Sequence, residues 1–275
     1  MEVKKKVSVF LIGDLPLAVE VAKLFNHNQN AIIEGMLVQY PNRDFLNDPF
    51  IEKTNLYNFA KANDIKVFFS VEDVIKNFKN QKIDVGISWR ASIIYKIDFI
   101  SLFKMYFINL HGGILPQRAG VNIACHAIIE GDEYSGGTLH LINEKIDSGD
   151  ILAIKKFRIN SYDTSLSVYH KTNIALLDLV KENLESIISG NLKPIPQSHL
   201  IINGNRKYFR KVDISKIKEL SLNMEIDYID RVVRGCDFPG HEPAYIIYNG
   251  RKIYLTTQRF FTKNNDSKLT NIQSE

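Results

Sequence analysis

The chain has 275 residues, 45% of them hydrophobic and 24% charged, and a net charge of +4 from 35 Lys and Arg against 31 Asp and Glu. This is globular composition, enough for one large and one small domain, and it excludes wholesale disorder. So small and evenly spread a charge excludes nucleic acid as the default partner.

Three lysines, Lys4, Lys5 and Lys6, precede the apolar run Val7–Gly13 and give it the outline of a leader. Asp14 and Pro16 break the run and no small-residue cleavage site follows, so Lys6–Gly13 reads as the first strand of an α/β domain. Leu15–Asn28 carries apolar residues at helical spacing, with Pro16 suited to a first turn. Ala31–Gln39 reads as a second strand and Pro41–Asp48 as a polar loop. Asn55–Asn63 predicts a helix, Val67–Ser70 a strand, Val71–Phe78 a helix, and Ile83–Trp89 and Met105–Leu110 two more strands. Strands separated by helices imply right-handed crossovers and a parallel sheet covered on both faces. The longest uncharged stretch, Met105–Gln117, is shorter than the roughly 18 residues of a spanning helix. The expectation is a cytoplasmic protein with no membrane partner.

After residue 110 the pattern changes. His111–Val121 reads as a loop, Asn122–Glu130 as a helix, Gly137–Ile142 and Ile151–Ile159 as alternating strands, and Leu166–Ser189 as a long amphipathic helix closed by Gly190. Pro194 and Pro196 mark a boundary. Beyond it lie a helix, Ile226–Arg234, and a hairpin around Asn249-Gly250; residues 263–275 are polar and expected to fray. The expected fold is therefore a Rossmann-like α/β domain over residues 1–200, its sheet mostly parallel, with a small α+β extension over 201–275.

Several chemistries lack their residues. The first strand–turn–helix carries one glycine, Gly13, where a dinucleotide turn needs three, and Glu34 alone is a weak ribose ligand. Neither a Walker loop nor an HExxH pair occurs. The two cysteines, Cys125 and Cys236, form neither a disulfide framework nor a CxxC pair, so no metal is expected and a reducing compartment is. The informative window is INLHGGILPQRAG, residues 108–120, followed by GGTLHLINEKIDSGD, residues 136–150. Asn109 and His111 are two apart at the carboxyl end of a predicted strand, so their side chains share a face beside the crevice where α/β sheets place ligands. Asp147 sits in a turn between two strands that could aim its carboxylate at the same point. Each residue alone has a blander reading as a turn former or surface histidine; their joint spacing does not.

That set, Asn109, His111, Leu115, Pro116, Gly120, Thr138 and Asp147, resembles the signature of the N10-formyltetrahydrofolate-dependent formyltransferases in order and spacing. The resemblance spans roughly residues 6–190 and is strongest from about 84 to 155. It implies the formyltransferase fold, with N10-formyltetrahydrofolate as formyl donor and an amine as acceptor. In that chemistry a protonated His111 and the Asn109 amide hydrogen-bond the developing oxyanion, while Asp147 favours the imidazolium and accepts the amine's proton. The family also implies that the folate lies against Ser88, Trp89, Arg90 and Ala91 and against Ile142, Asn143 and Ile146. Gly113, Arg118, Asn122 and Tyr208 are the expected acceptor contacts.

Three branches of the family compete for the acceptor. The glycinamide ribonucleotide enzymes are shorter and carry a different loop after Asn-x-His. The methionyl-tRNA enzymes carry a C-terminal barrel, whereas Lys207, Arg210, Lys211, Arg231 and Arg234 here lie among acids rather than in a basic stripe. The HGG variant and the segment Arg231–Ala244 are similar to the sugar-nucleotide N-formyltransferases. The expected acceptor is therefore a dTDP-linked 4-amino-4,6-dideoxyglucose or 3-amino-3,6-dideoxyhexose, feeding O-antigen or other surface polysaccharide. A homodimer through the C-terminal hairpin is expected from its Tyr and Ile content. A silent binding protein for folate or sugar nucleotide is the reading from another class, and intact Asn109, His111 and Asp147 argue against it.

Overall fold

The computed structural model describes residues 5–41, 54–202 and 204–257. Most of the expected Pro41–Asp48 loop and all of the polar tail lie outside the described residues. The first half runs β1 (Val7–Ile12), α1 (Pro16–Asn26), β2 (Ala31–Leu37), α2 (Leu56–Ala62), β3 (Val67–Phe68), α3 (Val71–Phe78), β4 (Ile83–Trp89), α4 (Ile97–Ile100) and β5 (Phe103–His111). There follow β6 (Arg118–Gly120), α5 (Ile123–Ile129), β7 (Tyr134–Leu141), β8 (Ile151–Arg158) and α6 (Ser165–Ser189). The C-terminal part holds β9 (Lys207–Phe209), α7 (Lys211–Ser215), β10 (Glu219–Leu220), α8 (Ile226–Cys236), β11 (Ala244–Tyr248) and β12 (Arg251–Leu255).

The central sheet has the order β3-β2-β1-β4-β5-β7-β8, parallel through β5 and antiparallel at β7 and β8. Period-two alternation in β1 sorts its side chains onto two cores. Val9 and Leu11 pack with Leu17, Val21 and Phe25 of α1 and with Leu176 and Val180 of α6. Phe10 and Ile12 pack on the other side with Val74 and Phe78 of α3 and with Phe99 and Phe107. Three of the helices start where a short polar side chain takes an orphan N–H. Asn55 caps α2, Ser70 caps α3, and Thr164 caps α6 in a reciprocal pair with Ser167.

Gly86 of β4 lies under the stacked rings of Phe103 and Phe107, whose centroids are 4.3 Å apart. A Cβ at this position would meet Phe103 Cε1 at 2.5 Å. Gly86→Ala is expected to cost about 1–3 kcal/mol of stability from overpacking, read as a lower urea midpoint with unchanged slope.

The long elements match the sequence reading to within a few residues, and the differences are local. β5 starts at Phe103 and runs to His111, and the expected loop after it contains β6. The short elements α4, β9, α7 and β10 carry no period of their own and form only against partners. β9 pairs in parallel with β6, and α8 packs on α5 where Gly235 lies over Ile129 and the Cys125 carbonyl. β10 and β12 flank β11 in a small sheet, and the hairpin turns through Asn249 (φ 48°) and Gly250 (φ 73°). Among the described residues no helix is long and apolar enough to cross a membrane.

Candidate active site

The carboxyl ends of β4 and β5 open into a cavity of about 570 Å³. Antiparallel pairing of β5 with β7 sets Asn109 opposite His140 and His111 opposite Thr138. Thr138, fully buried, holds the loop after His111: its hydroxyl donates to the Gly113 carbonyl at 2.6 Å and accepts from Leu115 N–H at 3.2 Å. The cis Leu115-Pro116 bond then turns the chain back toward β6.

β6 meets both catalytic candidates through its backbone. His111 Nε2 lies 2.6 Å from the Arg118 carbonyl. A carbonyl can only accept, so Nε2 carries the proton and Nδ1 is the free lone pair of the neutral ring. Gly120 N–H donates to Asp147 Oδ2 at 2.8 Å. Gly120 has φ 98°, and a Cβ there would meet the Phe209 carbonyl oxygen at 2.1 Å, so only glycine lets β6 lie this close to β9.

Asp147 lies in the β7–β8 connection in the left-handed region, φ 50°. Its Oδ1 stands 3.6 Å from His111 Nδ1 and 3.6 Å from His140 Nε2. His140 is oriented in turn: Nδ1 donates to the Leu141 carbonyl at 2.8 Å, which leaves Nε2 to accept from the Asn109 amide nitrogen at 3.0 Å. The Asn109 amide is thus pinned with its NH2 toward His140 and one further N–H to give.

Burial pushes the His111 imidazole below its ordinary value even though Asp147 works to raise it, and His140 and Arg206 act with the burial. Burial alone would raise the Asp147 carboxyl, but the neighbouring His111 and His140 rings and the Gly120 N–H outweigh it and hold the group down to about 2. The resting pair is therefore a carboxylate facing a neutral imidazole, not the imidazolium expected from sequence. Desolvation of a ring that is only 6% exposed outweighs its neighbour's charge.

Most residues singled out in the sequence lie on the cavity wall. Ser88, Trp89, Arg90 and Ala91 line it from the end of β4, and Ile142, Asn143 and Ile146 from the connection carrying Asp147. Asn122 and Tyr208 line it too, as do Asn109, His111 and Asp147. Two acceptor candidates do not. Gly113 is packed behind His111, whose Nε2 lies 2.9 Å from where its Cβ would be. The Arg118 guanidinium turns away to pair with Glu130 at 2.6 Å and with Asp132, over the Phe209 ring. Its ion pairs satisfy it there, so Arg118 serves the site through its backbone carbonyl.

From sequence His140 reads equally as a strand residue near the cofactor site or as packing alone, and it is not among the expected site residues. Its clue was two-residue alternation on a strand paired with β5, but the register that sets it against Asn109 is a tertiary fact. Tyr169, Lys218, Phe238 and His241 also line the cavity, from α6 and the C-terminal part.

Residues 65–177, which include Asn109, His111, His140 and Asp147, match a family model described as formyl transferase. Among curated relatives, the methionyl-tRNA formyltransferase of Borrelia garinii subsp. bavariensis is 37% identical over 141 residues, covering 50% of this chain and 44% of that protein. That of Borreliella burgdorferi is 31% identical over 193 residues, covering 69% and 60%. The chain thus spans about half the length of the curated relatives it matches. Among solved structures, WlaRD, a sugar 3N-formyl transferase crystallised with dTDP and 5-N-formyl-THF, has TM-score 0.72 at 24% identity, over 90% of this chain and 84% of that one. A 4-N formyltransferase from Francisella tularensis has TM-score 0.73 at 18% identity, over 92% and 99%. An N-formyltransferase from Helicobacter canadensis, in complex with folinic acid and dTDP-3-aminofucose, has TM-score 0.69 at 24% identity, over 90% and 86%. At these identities the structural likeness concerns the fold. The matched segment, residues 65–177, is thus of the formyl transferase family, and its Asn109, His111 and Asp147 all line the cavity.

Proposed function

We propose that the protein transfers a formyl group from N10-formyltetrahydrofolate to the amine of a nucleotide-linked amino sugar, a dTDP-amino-dideoxyhexose being the favoured acceptor. The observation that carries the reading is His111 Nδ1 facing Asp147 Oδ1 at 3.6 Å, with the Asn109 amide beside them on the cavity wall. Both facing atoms are acceptors in the resting state, and the gap is too long for a shared proton. His111 Nδ1 is therefore free to take a proton shed by an attacking amine, with the carboxylate beside it to stabilise the charge.

The donor supplies an electrophilic formyl carbon on a nitrogen that leaves. The wall at the end of β4 suits such a group: Trp89 is 4% exposed, lines the cavity, and has an Nε1–H with no partner among the described residues. Ala91, Ile93 and Ile142 add apolar surface for a flat heterocycle.

In the reaction the amine nitrogen bonds the formyl carbon and the carbonyl electron pair moves to oxygen. The free N–H of Asn109 stabilises that oxygen, a preorganised interaction whose loss typically costs about 10²–10³ in rate. The amine's proton passes to His111 Nδ1, and Asp147 stabilises the imidazolium so formed. The bond from the formyl carbon to the donor nitrogen breaks, that nitrogen takes the proton back from His111, and the pair returns to its starting state. Holding both reactants in the cavity contributes the remainder.

Two considerations favour an amino sugar. The likeness to the sugar N-formyltransferases covers 90% and 92% of this chain, more than its first 200 residues alone could supply. That part supplies Tyr208, Phe238, Lys218 and His241 to the cavity, an aromatic and cationic set suited to a base and a diphosphate. The second reading, methionyl-tRNA as acceptor, rests on the names of the curated relatives. Tetrahydrofolate release with a panel of purified acceptors separates the two. Release with a dTDP-amino sugar and not with methionyl-tRNA is the expected result; the reverse moves the protein to the tRNA branch, and release with neither removes the reading.

The proposal extends to a homodimer through the hairpin and to a product used in surface polysaccharide. β12 is the edge of its sheet, and Ile247, Tyr248, Ile253 and Tyr254 are 45% to 63% exposed. Sedimentation at micromolar concentration is expected to give a dimer, and a monomer removes that part.

A further inference from the structure

The Asp147 turn is gripped from behind. Gln197 follows α6 in the 3₁₀ turn Gln197–His199 and is 4% exposed. Its amide nitrogen donates to the carbonyls of Asp147 at 2.9 Å and Gly149 at 2.8 Å. Arg206 donates Nη1 to the Gln197 amide oxygen at 2.7 Å, and Nη2 to the carbonyls of Asp147 at 3.1 Å and Ile146 at 3.4 Å. Both N–H groups and the oxygen of the Gln197 amide are thus engaged, and two separate side chains converge on the Asp147 carbonyl.

Arg206 immediately precedes β9, and β9 is the partner of β6. Lys207 N–H donates to the Gln117 carbonyl at 3.1 Å, and Val121 N–H to the Phe209 carbonyl at 3.0 Å. One segment after the catalytic domain therefore holds β6, which supplies the Arg118 carbonyl to His111 and the Gly120 N–H to Asp147. The same segment holds the turn that carries Asp147. A non-glycine residue at φ 50° persists where its surroundings over-determine it. The turn's own side-chain bonds, from Lys145 N–H and the Ser148 hydroxyl to Asn143, stay within the turn.

We propose that Gln197 and Arg206 are positioning residues, a clamp that fixes the Asp147 turn so that its carboxylate addresses His111; the kinetic consequence rests on the formyl-transfer reading. The clamp has two separable components. One is geometric, the grip on the Asp147 carbonyl. The other is charge: Asp147, His140 and Arg206 are the charged or titratable groups that act on His111, and the Arg206 guanidinium opposes the imidazolium.

Three variants read the components apart. Arg206→Met removes both. It is expected to lower kcat by about 10- to 100-fold, the scale of a small misplacement, with KM for donor and acceptor within about threefold, and to move the His111 titration to higher pH. That titration is followed by NMR of labelled histidine in the protein alone. Arg206→Lys keeps the charge, so its titration stays at the wild-type position while kcat still falls. Gln197→Met reproduces the kcat loss.

Wild-type kcat in Arg206→Met, or full kcat in Arg206→Lys, overturns the clamp. So does a loss in Arg206→Met carried by KM, which would put the guanidinium on substrate. The titration needs no turnover, so the two readings fail separately. An inactive wild type with a moved His111 titration in Arg206→Met overturns formyl transfer and leaves the clamp standing.

Discussion

Asp147→Asn lowers kcat for formyl transfer about 10³-fold, within the range that positioned acid–base groups contribute, and leaves KM for donor and acceptor within about threefold. The carboxylate makes three interactions, to Gly120 N–H and to the two imidazoles at 3.6 Å, and none lies on the outer reach of the cavity. An Asn amide is neutral and cannot stabilise the imidazolium formed when His111 takes the amine's proton. If its NH2 turns toward Gly120 N–H, two donors also meet. Because the carboxyl is held down to about 2, it is ionised throughout the working range and adds no limb to the pH profile. Initial rates of tetrahydrofolate formation at saturating substrate measure the effect, and a variant within tenfold of wild type rules out this role.

His111→Gln is expected to lower kcat by about 10²–10⁴ and to remove the acidic limb of the rate profile. In the wild type that limb belongs to His111. Burial holds its pKa below the ordinary 6.5, so the ring is already neutral at pH 7 and kcat/KM falls only when pH drops through the depressed value. An imidazolium mechanism predicts the opposite sign, with activity lost as pH rises.

The same shift carries a stability consequence. Below pH 6.5 the unfolded chain binds a proton at this histidine while the folded chain resists it, so the slope of stability against pH is positive there. Stability from His111 is present above the unfolded value and is lost as pH falls through the folded one. Urea denaturation at pH 7 and pH 5 should show a smaller loss in His111→Gln than in the wild type. An equal loss in both contradicts a buried neutral ring.

Much of this molecule is legible in its residues. The βα alternation to Trp89 follows from runs such as VSVFLI and IDVGISW, whose period of two sends alternate side chains to two cores. The Asn109–His111 pair is legible for the same reason, since two residues apart on a strand share a face. The Asp147 turn was legible as a turn, and the loop IDSG carried its place in the family pattern. The charge state of His111 was not, because it is set by burial under the completed fold. The fate of Arg118 was not either: its sequence position beside the catalytic loop suggested a substrate contact, and its acidic partners Glu130 and Asp132 come from beyond α5.

The sequence by itself determined which strands exist, which face of β5 holds the amide and the imidazole, and that a carboxylate turn follows. Those depend on neighbours in the chain and on the regular geometry of strands. Tertiary structure alone decided that His140 orients Asn109 across the β5–β7 pairing, and that two backbone groups of β6 address His111 and Asp147. It alone brought Gln197 and Arg206 up from the far side of α6. These are contacts between segments 7 to 60 residues apart in the chain. No local propensity encodes them, because their geometry exists only once the sheet has closed over its two cores and fixed where each backbone arrives.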